Sequence, residues 1–139
     1  MYSQLKLNNQ LCFPLYAGSK EIIRKYKPFL ADLHLTYTQY ITMMVLWEFK
    51  SMNVKTLGEY LFLDSGTLTP LLKKLEQQGL ITRERSPQDE RNVIIYITSK
   101  GRKLEEKAKD IPMKMKECVN LTDEESKELY RLLHKMLKI

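Results

Sequence analysis

The run from Val54 to Thr98, VKTLGEYLFLDSGTLTPLLKKLEQQGLITRERSPQDERNVIIYIT, constrains the fold more than any other part of the chain. Val54, Leu57, Leu61 and Phe62 recur at helical spacing and predict a short helix. LDSG reads as a turn. TLTPLLKKLEQQ reads as a longer helix closed by Gly79, because glycine takes the left-handed conformation that ends helices at little cost. Two β-rich runs, LITRER and NVIIYIT, flank the polar stretch SPQDER and predict a strand, a loop and a strand. The order is helix, tight turn, helix, hairpin.

The flanks are helical. Leu11, Cys12, Leu15, Tyr16, Ser19, Ile22, Ile23, Tyr26, Phe29, Leu30 and Leu33 recur at spacings of three and four, with Asn8 and Asn9 as expected N-caps. Pro28 is expected to bend or interrupt this helix. In TYTQYITMMVLWEF, Thr36 and Gln39 have the spacing of a capping box, and Thr122 and Glu125 repeat it near the C-terminus. Pro112 interrupts the helical pattern between Ser99 and Val119. The last helix carries Leu129, Leu132, Leu133, Met136 and Leu137. The apolar faces at both ends are wider than a small central domain covers, which implies a homodimer. The expected layout is one mainly α domain with a small β-wing: residues 36–98 form a winged helix-turn-helix, and residues 1–35 and 99–139 form dimerisation helices.

A chain of 139 residues suits one core rather than two. Its hydrophobic fraction, 43%, is too high for a disordered chain. The N-terminus MYSQLKLNNQ lacks the basic-then-apolar pattern of a secretory signal, and YITMMVLWEF is too short to cross a bilayer. A soluble, cytoplasmic protein without membrane partners is expected. The two cysteines, Cys12 and Cys118, do not make a disulfide framework, and His34 and His134 have no metal-ligand spacing with them, so neither a metal nor a cofactor is expected. The thiols are left as inert, catalytic or redox-sensing.

Net charge is +6, which suits double-stranded DNA without requiring it. The excess is absent from residues 104–139, which carry 8 basic and 8 acidic side chains. The second helix of the central unit opens with Ser65, Gly66, Thr67 and Thr69, small or hydroxylated residues that allow close backbone approach and donate to phosphates and base edges. Lys73 and Lys74 follow. The hairpin adds Arg83, Arg85 and Arg91, offset in charge by Glu84, Asp89 and Glu90. Salt bridging within the hairpin accounts for these arginines as readily as insertion into a minor groove does.

DERNVIIYIT resembles the wing of the MarR family, and LDSGTLTPLLKKLEQQGLITRERS resembles that family's recognition helix and first wing strand. NQLCFPLY, KYKPFL and LTYTQYITMMVLWE are similar to the organic-hydroperoxide-sensing repressors within it, the OhrR type. The likeness extends to about residue 112. It implies a DNA-binding repressor, not an enzyme, that binds a pseudo-palindromic operator and releases it when a cysteine is oxidised. By motif position the sensor is Cys12, with Tyr26 and Tyr37 reaching it from the partner subunit and Tyr16 as a further tyrosine. Placement in a first helical turn favours the reactive thiolate. The apolar Leu11, Phe13 and Leu15 suit an organic hydroperoxide. Cys118 is either the resolving thiol of the other chain or inert, with a low-molecular-weight thiol capturing Cys12 instead. The resemblance assigns DNA contacts to Ser65, Thr67, Thr69, Pro70, Lys73 and Lys74 on the helix and to Arg83 and Arg91 on the wing, with Asp89 orienting Arg91. Pro14 departs from the family pattern: the helix starts at about Asn9, or it kinks just after Cys12. The rival readings are a MarR-type regulator of a phenolic or other small ligand with Cys12 incidental, a thiol peroxidase, and a structural DNA-coating protein.

Overall fold

The computed structural model describes all 139 residues. Seven α-helices and three strands follow two short 3-10 turns: α1 (Cys12–Ala31), α2 (Tyr37–Phe49), β1 (Ser51–Asn53), α3 (Val54–Leu61), α4 (Ser65–Gln77), β2 (Ile81–Arg85), β3 (Val93–Ile97), α5 (Ser99–Ala108), α6 (Ile111–Cys118) and α7 (Asp123–Leu137). No helix is long and apolar enough to cross a membrane.

The N-terminus corrects three expectations. Asn8 and Asn9 do not cap α1: they lie in the second 3-10 turn, and the Asn9 side-chain amide donates back to the Ser3 carbonyl at 2.7 Å. Leu11 holds the cap position without a side-chain bond. The helix therefore begins at Cys12, later than Asn9, and it does not kink after the cysteine. Pro14 is its third residue, where a backbone N–H has no intrahelical acceptor to lose. Nor does Pro28 interrupt α1, which runs through it to Ala31.

Both capping boxes form. Thr36 and Gln39 exchange bonds at the start of α2, as do Thr122 and Glu125 at the start of α7. In the central unit the turn is shorter than LDSG. Asp64 caps α4 by accepting the Thr67 N–H at 2.8 Å, so Ser65 and Gly66 are already helical. Phe62 lies outside α3, left-handed at φ 56° and exposed. At the far end of α4, Gly79 takes φ 75°; its N–H donates to Glu76 and that of Leu80 to Leu75, closing a Schellman motif.

The hairpin gains an unexpected third strand. β1 pairs antiparallel with β3 beside β2, in the order β1-β3-β2, with Met52 opposite Ile95 and Arg83 opposite the same residue from the other side. Three residues are too few to show strand alternation in sequence. The core sits where α2, α3, α4 and the sheet meet: Met43, Leu46, Leu57, Leu75 and Ile95 are fully buried there. The break before α6 falls at Lys109 and Asp110, leaving Pro112 in the tolerated first turn.

Candidate functional site

Cys12 is the first residue of α1 and is exposed. Its neighbours share that exposure: Leu11 is 86% exposed, and Phe13 and Leu15 are also uncovered. Tyr16 lies one helical turn on, and its hydroxyl accepts from Lys20 at 3.3 Å. Of the three tyrosines singled out in sequence, only Tyr16 shares the Cys12 end of the helix.

Tyr26 and Tyr37 form a separate cluster, with ring centroids 4.9 Å apart. Tyr40, missed in sequence, completes it at 5.7 Å from Tyr26 and 6.3 Å from Tyr37. The signal was its spacing of three from Tyr37 on one face of α2. Burial, reinforced by repulsion from the neighbouring phenolates of Tyr37 and Tyr40, pushes the Tyr26 hydroxyl up to about 12. Burial likewise raises Tyr37, and burial with Tyr37 raises Tyr40. At neutral pH all three remain phenols able to donate an O–H. Fourteen residues of helix separate Cys12 from Tyr26, a rise of about 21 Å. One chain does not bring the thiol and the cluster together.

Cys118 ends α6 and is half-buried. Its carbonyl accepts from the Lys25 ammonium at 3.0 Å, which places it at the Tyr26 end of α1.

The second site is an open groove of about 1020 Å³ between α3, α4 and the wing. It gathers Ser65, Thr69, Arg83, Asp89 and Arg91, which are up to 26 residues apart in sequence. Phe62 also lines it, a residue the sequence pattern places within the short helix, because its register with Leu57 and Leu61 conceals the left-handed turn. Thr67, Pro70, Lys73 and Lys74 stand exposed on α4 outside the groove lining, while Leu68, Leu71, Leu72 and Leu75 bury the opposite face. The Asp64 carboxyl at the head of α4 is held below the usual carboxylate range by the Thr67 backbone N–H it accepts. Two wing residues take unexpected roles. Arg83 pairs with Glu76 of α4 at 3.0 Å, bracing β2 against that helix. Asp89 accepts the backbone N–H of Arg91 at 3.0 Å, so it shapes the loop rather than aiming the guanidinium. Arg91 itself is exposed.

A family model described as transcriptional regulator SarA/Rot matches residues 24–111. An organic hydroperoxide resistance transcriptional regulator of Bacillus subtilis is 50% identical over 137 residues, 99% of this chain and 93% of that protein. The HTH-type transcriptional regulator SarZ of Staphylococcus epidermidis is 47% identical over 123 residues, 88% of this chain and 83% of that protein. Among solved structures, reduced AbfR bound to DNA has a TM-score of 0.80 at 36% identity, covering 97% of this chain and 94% of that one. Disulfide-formed AbfR, at 34% identity and 97% and 92% coverage, scores 0.68. AbfR is a protein of Staphylococcus epidermidis.

Proposed function

The chain belongs to the SarA/Rot family of MarR-type transcriptional regulators, and from that premise we propose that it is a cytoplasmic homodimeric repressor that binds DNA when reduced and lets go when an organic hydroperoxide oxidises Cys12. It is a redox-sensing DNA-binding regulator rather than an enzyme. The observation that carries the choice of Cys12 is the separation along α1. An exposed thiol stands at one end, and three protonated tyrosines stand about 21 Å away at the other. A two-fold axis that sets two copies of α1 antiparallel brings each cysteine to its partner's tyrosines.

Surface area supports the dimer. A compact monomer of this mass exposes about 7,600 Å², whereas this chain exposes 10515 Å². The excess, roughly 3,000 Å² per chain or about 6,000 Å² for two copies, is at the upper end of what obligate interfaces bury. Of the 23 exposed large hydrophobic residues, 18 lie in residues 1–35 and 99–139, which form the dimer interface in this reading, while residues 36–98 carry the DNA-binding surface.

The chemistry balances. The Cys12 thiolate attacks the distal peroxide oxygen; an S–O bond forms and the O–O bond breaks. The alkoxide leaves and takes a proton to become an alcohol, so the sulfur is oxidised by two electrons to a sulfenic acid as the peroxide is reduced. Partner tyrosine hydroxyls donate to the sulfur before the reaction and lose that geometry after it. The Cys118 thiolate of the other chain then attacks the sulfenic sulfur: an S–S bond forms, the S–O bond breaks, and the departing hydroxide takes a proton to become water. Within one chain the pair is too distant: Cys118 sits at Lys25, about 20 Å of helix from Cys12, against the roughly 7 Å between Cα atoms that a disulfide spans. The arrangement that brings Cys12 to the partner's Tyr26 brings it to the partner's Cys118 as well.

For DNA, α4 enters the major groove. Ser65, Thr67 and Thr69 donate to the operator, Pro70 packs against it, and Lys73 and Lys74 neutralise phosphates. Arg91 at the wing tip reaches the minor groove, on a loop shaped by Asp89, while Arg83 holds β2 against α4. A dimer reads two half-sites about one helical turn apart. The overall shape, nearer to reduced DNA-bound AbfR than to its disulfide form, agrees with a DNA-competent conformer.

The test is operator binding before and after cumene hydroperoxide, beside a non-reducing gel, for wild type, Cys12→Ser and Cys118→Ser. Cys12→Ser should bind operator and ignore the oxidant; release at wild-type doses would sink the sensor assignment. A dimer band lost in both variants identifies the intersubunit disulfide. Release by Cys118→Ser without that band assigns the capture of Cys12 to a small thiol.

A further inference from the structure

We propose that Trp47 is a positioning residue that couples the tyrosine cluster to the recognition helix α4, through a continuous set of contacts ending at Gly79. The proposal rests on the reading of Cys12 and its partner tyrosines as the sensor, and adds how their state reaches DNA.

The path begins at Tyr40. It is 3% exposed and packs against both Tyr26 and Tyr37. On its other side the ring meets Trp47 edge-on, 6.3 Å between centroids at 67°. The Trp47 indole N–H donates to the Gly101 carbonyl at 2.9 Å, a bond between residues 54 apart in sequence. The Gly101 N–H donates to the Thr98 hydroxyl oxygen at 3.1 Å, and that hydroxyl donates to the Gly79 carbonyl at 2.6 Å. Gly79 is the left-handed residue that ends α4, and the adjacent Gln78 carbonyl accepts from Lys100 at 2.8 Å. Each step joins a different element: α2 to α5, α5 to its cap, the cap to α4.

The joint at Gly101 has no slack. A methyl there would collide with the Leu80 carbonyl and crowd Ile97 Cγ1 at 2.8 Å. Close-packed interiors transmit displacement instead of absorbing it. When oxidation pulls a partner's sulfur away from the Tyr26 and Tyr37 hydroxyls, a shift of those rings moves Tyr40 and Trp47. The indole then drags or releases Gly101, and the anchored end of α4 turns. Coupling of this kind requires that the oxidised and reduced arrangements differ at the shared element, and Trp47 is where that difference is read.

Trp47 is the only tryptophan in the chain, so its emission reports on this joint alone. In wild type, cumene hydroperoxide should shift Trp47 fluorescence with the time course of operator release, and Cys12→Ser should show neither change. Trp47→Phe keeps a ring against Tyr40 and removes the N–H. It should bind operator when reduced and form the Cys12 sulfenic acid at the wild-type rate, trapped with dimedone. Oxidation should weaken its operator binding about tenfold less than it weakens that of wild type. Thr98→Val, which cuts the path beyond Gly101, should reproduce the loss of release while keeping the fluorescence shift. Release by Trp47→Phe at wild-type doses overturns the relay and leaves the sensor reading standing. So does an unchanged Trp47 emission in wild type that has released its operator, a result independent of how the variants fold. Release by Cys12→Ser overturns the sensor reading and the relay with it.

Discussion

Helices α4 and α1 carry equally clear apolar stripes, yet they meet different fates. The apolar face of α4, Leu68, Leu71, Leu72 and Leu75, is at most 6% exposed against its own chain. The first twelve residues of α1 and most of α7 leave theirs open, as Leu15, Ile22, Ile23, Leu129, Leu132 and Met136 show. Hydrophobic periodicity says that a face must be covered, and it is silent on whose atoms cover it. In α4 the cover is β2 and α2, so the opposite face, with Thr67, Pro70, Lys73 and Lys74, stays exposed to solvent. On the proposed reading a second copy covers α1 and α7, and Cys12 acquires its tyrosines only on assembly.

Changing one member of each stripe tests that contrast. Leu132→Arg on α7 puts a charge where the partner should lie and should cost on the order of 3–5 kcal/mol of association. Sedimentation should show monomer where wild type is dimer, with operator binding lost. Leu75→Ala in the covered stripe should cost about 2–5 kcal/mol of folding stability, read by urea denaturation. The loss should be the same at every protein concentration, whereas that from Leu132→Arg should depend on it. Equal concentration dependence for both would break the distinction. Gly79→Ala should cost about 1–2 kcal/mol through its left-handed backbone, and by loosening the end of α4 it should weaken operator binding more than an equally destabilising change in α7.

Two smaller effects sharpen the comparison. Lys73→Ala should lower the salt dependence of operator binding by about one unit of slope and weaken all sequences alike. Arg83→Ala should lower it less, because Glu76 already holds that guanidinium. The tyrosine cluster gives a pH signature. Burial pushes the Tyr26 hydroxyl from its ordinary 10.0 up to about 12 in the folded chain. The phenol form is therefore favoured by folding; this contribution is whole below pH 10 and declines as pH rises toward 12. Alkaline unfolding should be less steep in Tyr26→Phe, followed by phenolate absorbance alongside circular dichroism.

Much of the molecule was legible in sequence where its bonds are local. The Thr36–Gln39 and Thr122–Glu125 boxes each close within four residues, and Gly79 answers to its own backbone angle. Asn9 misled for the same reason: its side chain fits a cap, but an acceptor six residues back took it instead. The strand β1 was hidden because its partner lies over forty residues away. Tyr40 and Phe62 were hidden because a tyrosine or phenylalanine in helical register looks like filler until its neighbours are placed.

The sequence by itself determined the helices and the hairpin, their order, the thiol near the head of α1 and the polar face of α4, since caps, turns and periodicity are settled among residues a few positions apart. Only the tertiary structure decided that Tyr37 and Tyr40 of α2 gather at Tyr26, at the end of α1 away from Cys12, that Arg83 is tied to Glu76, and that Trp47 reaches Gly101. These contacts join elements far apart in the chain, and packing geometry alone chooses which side chains meet.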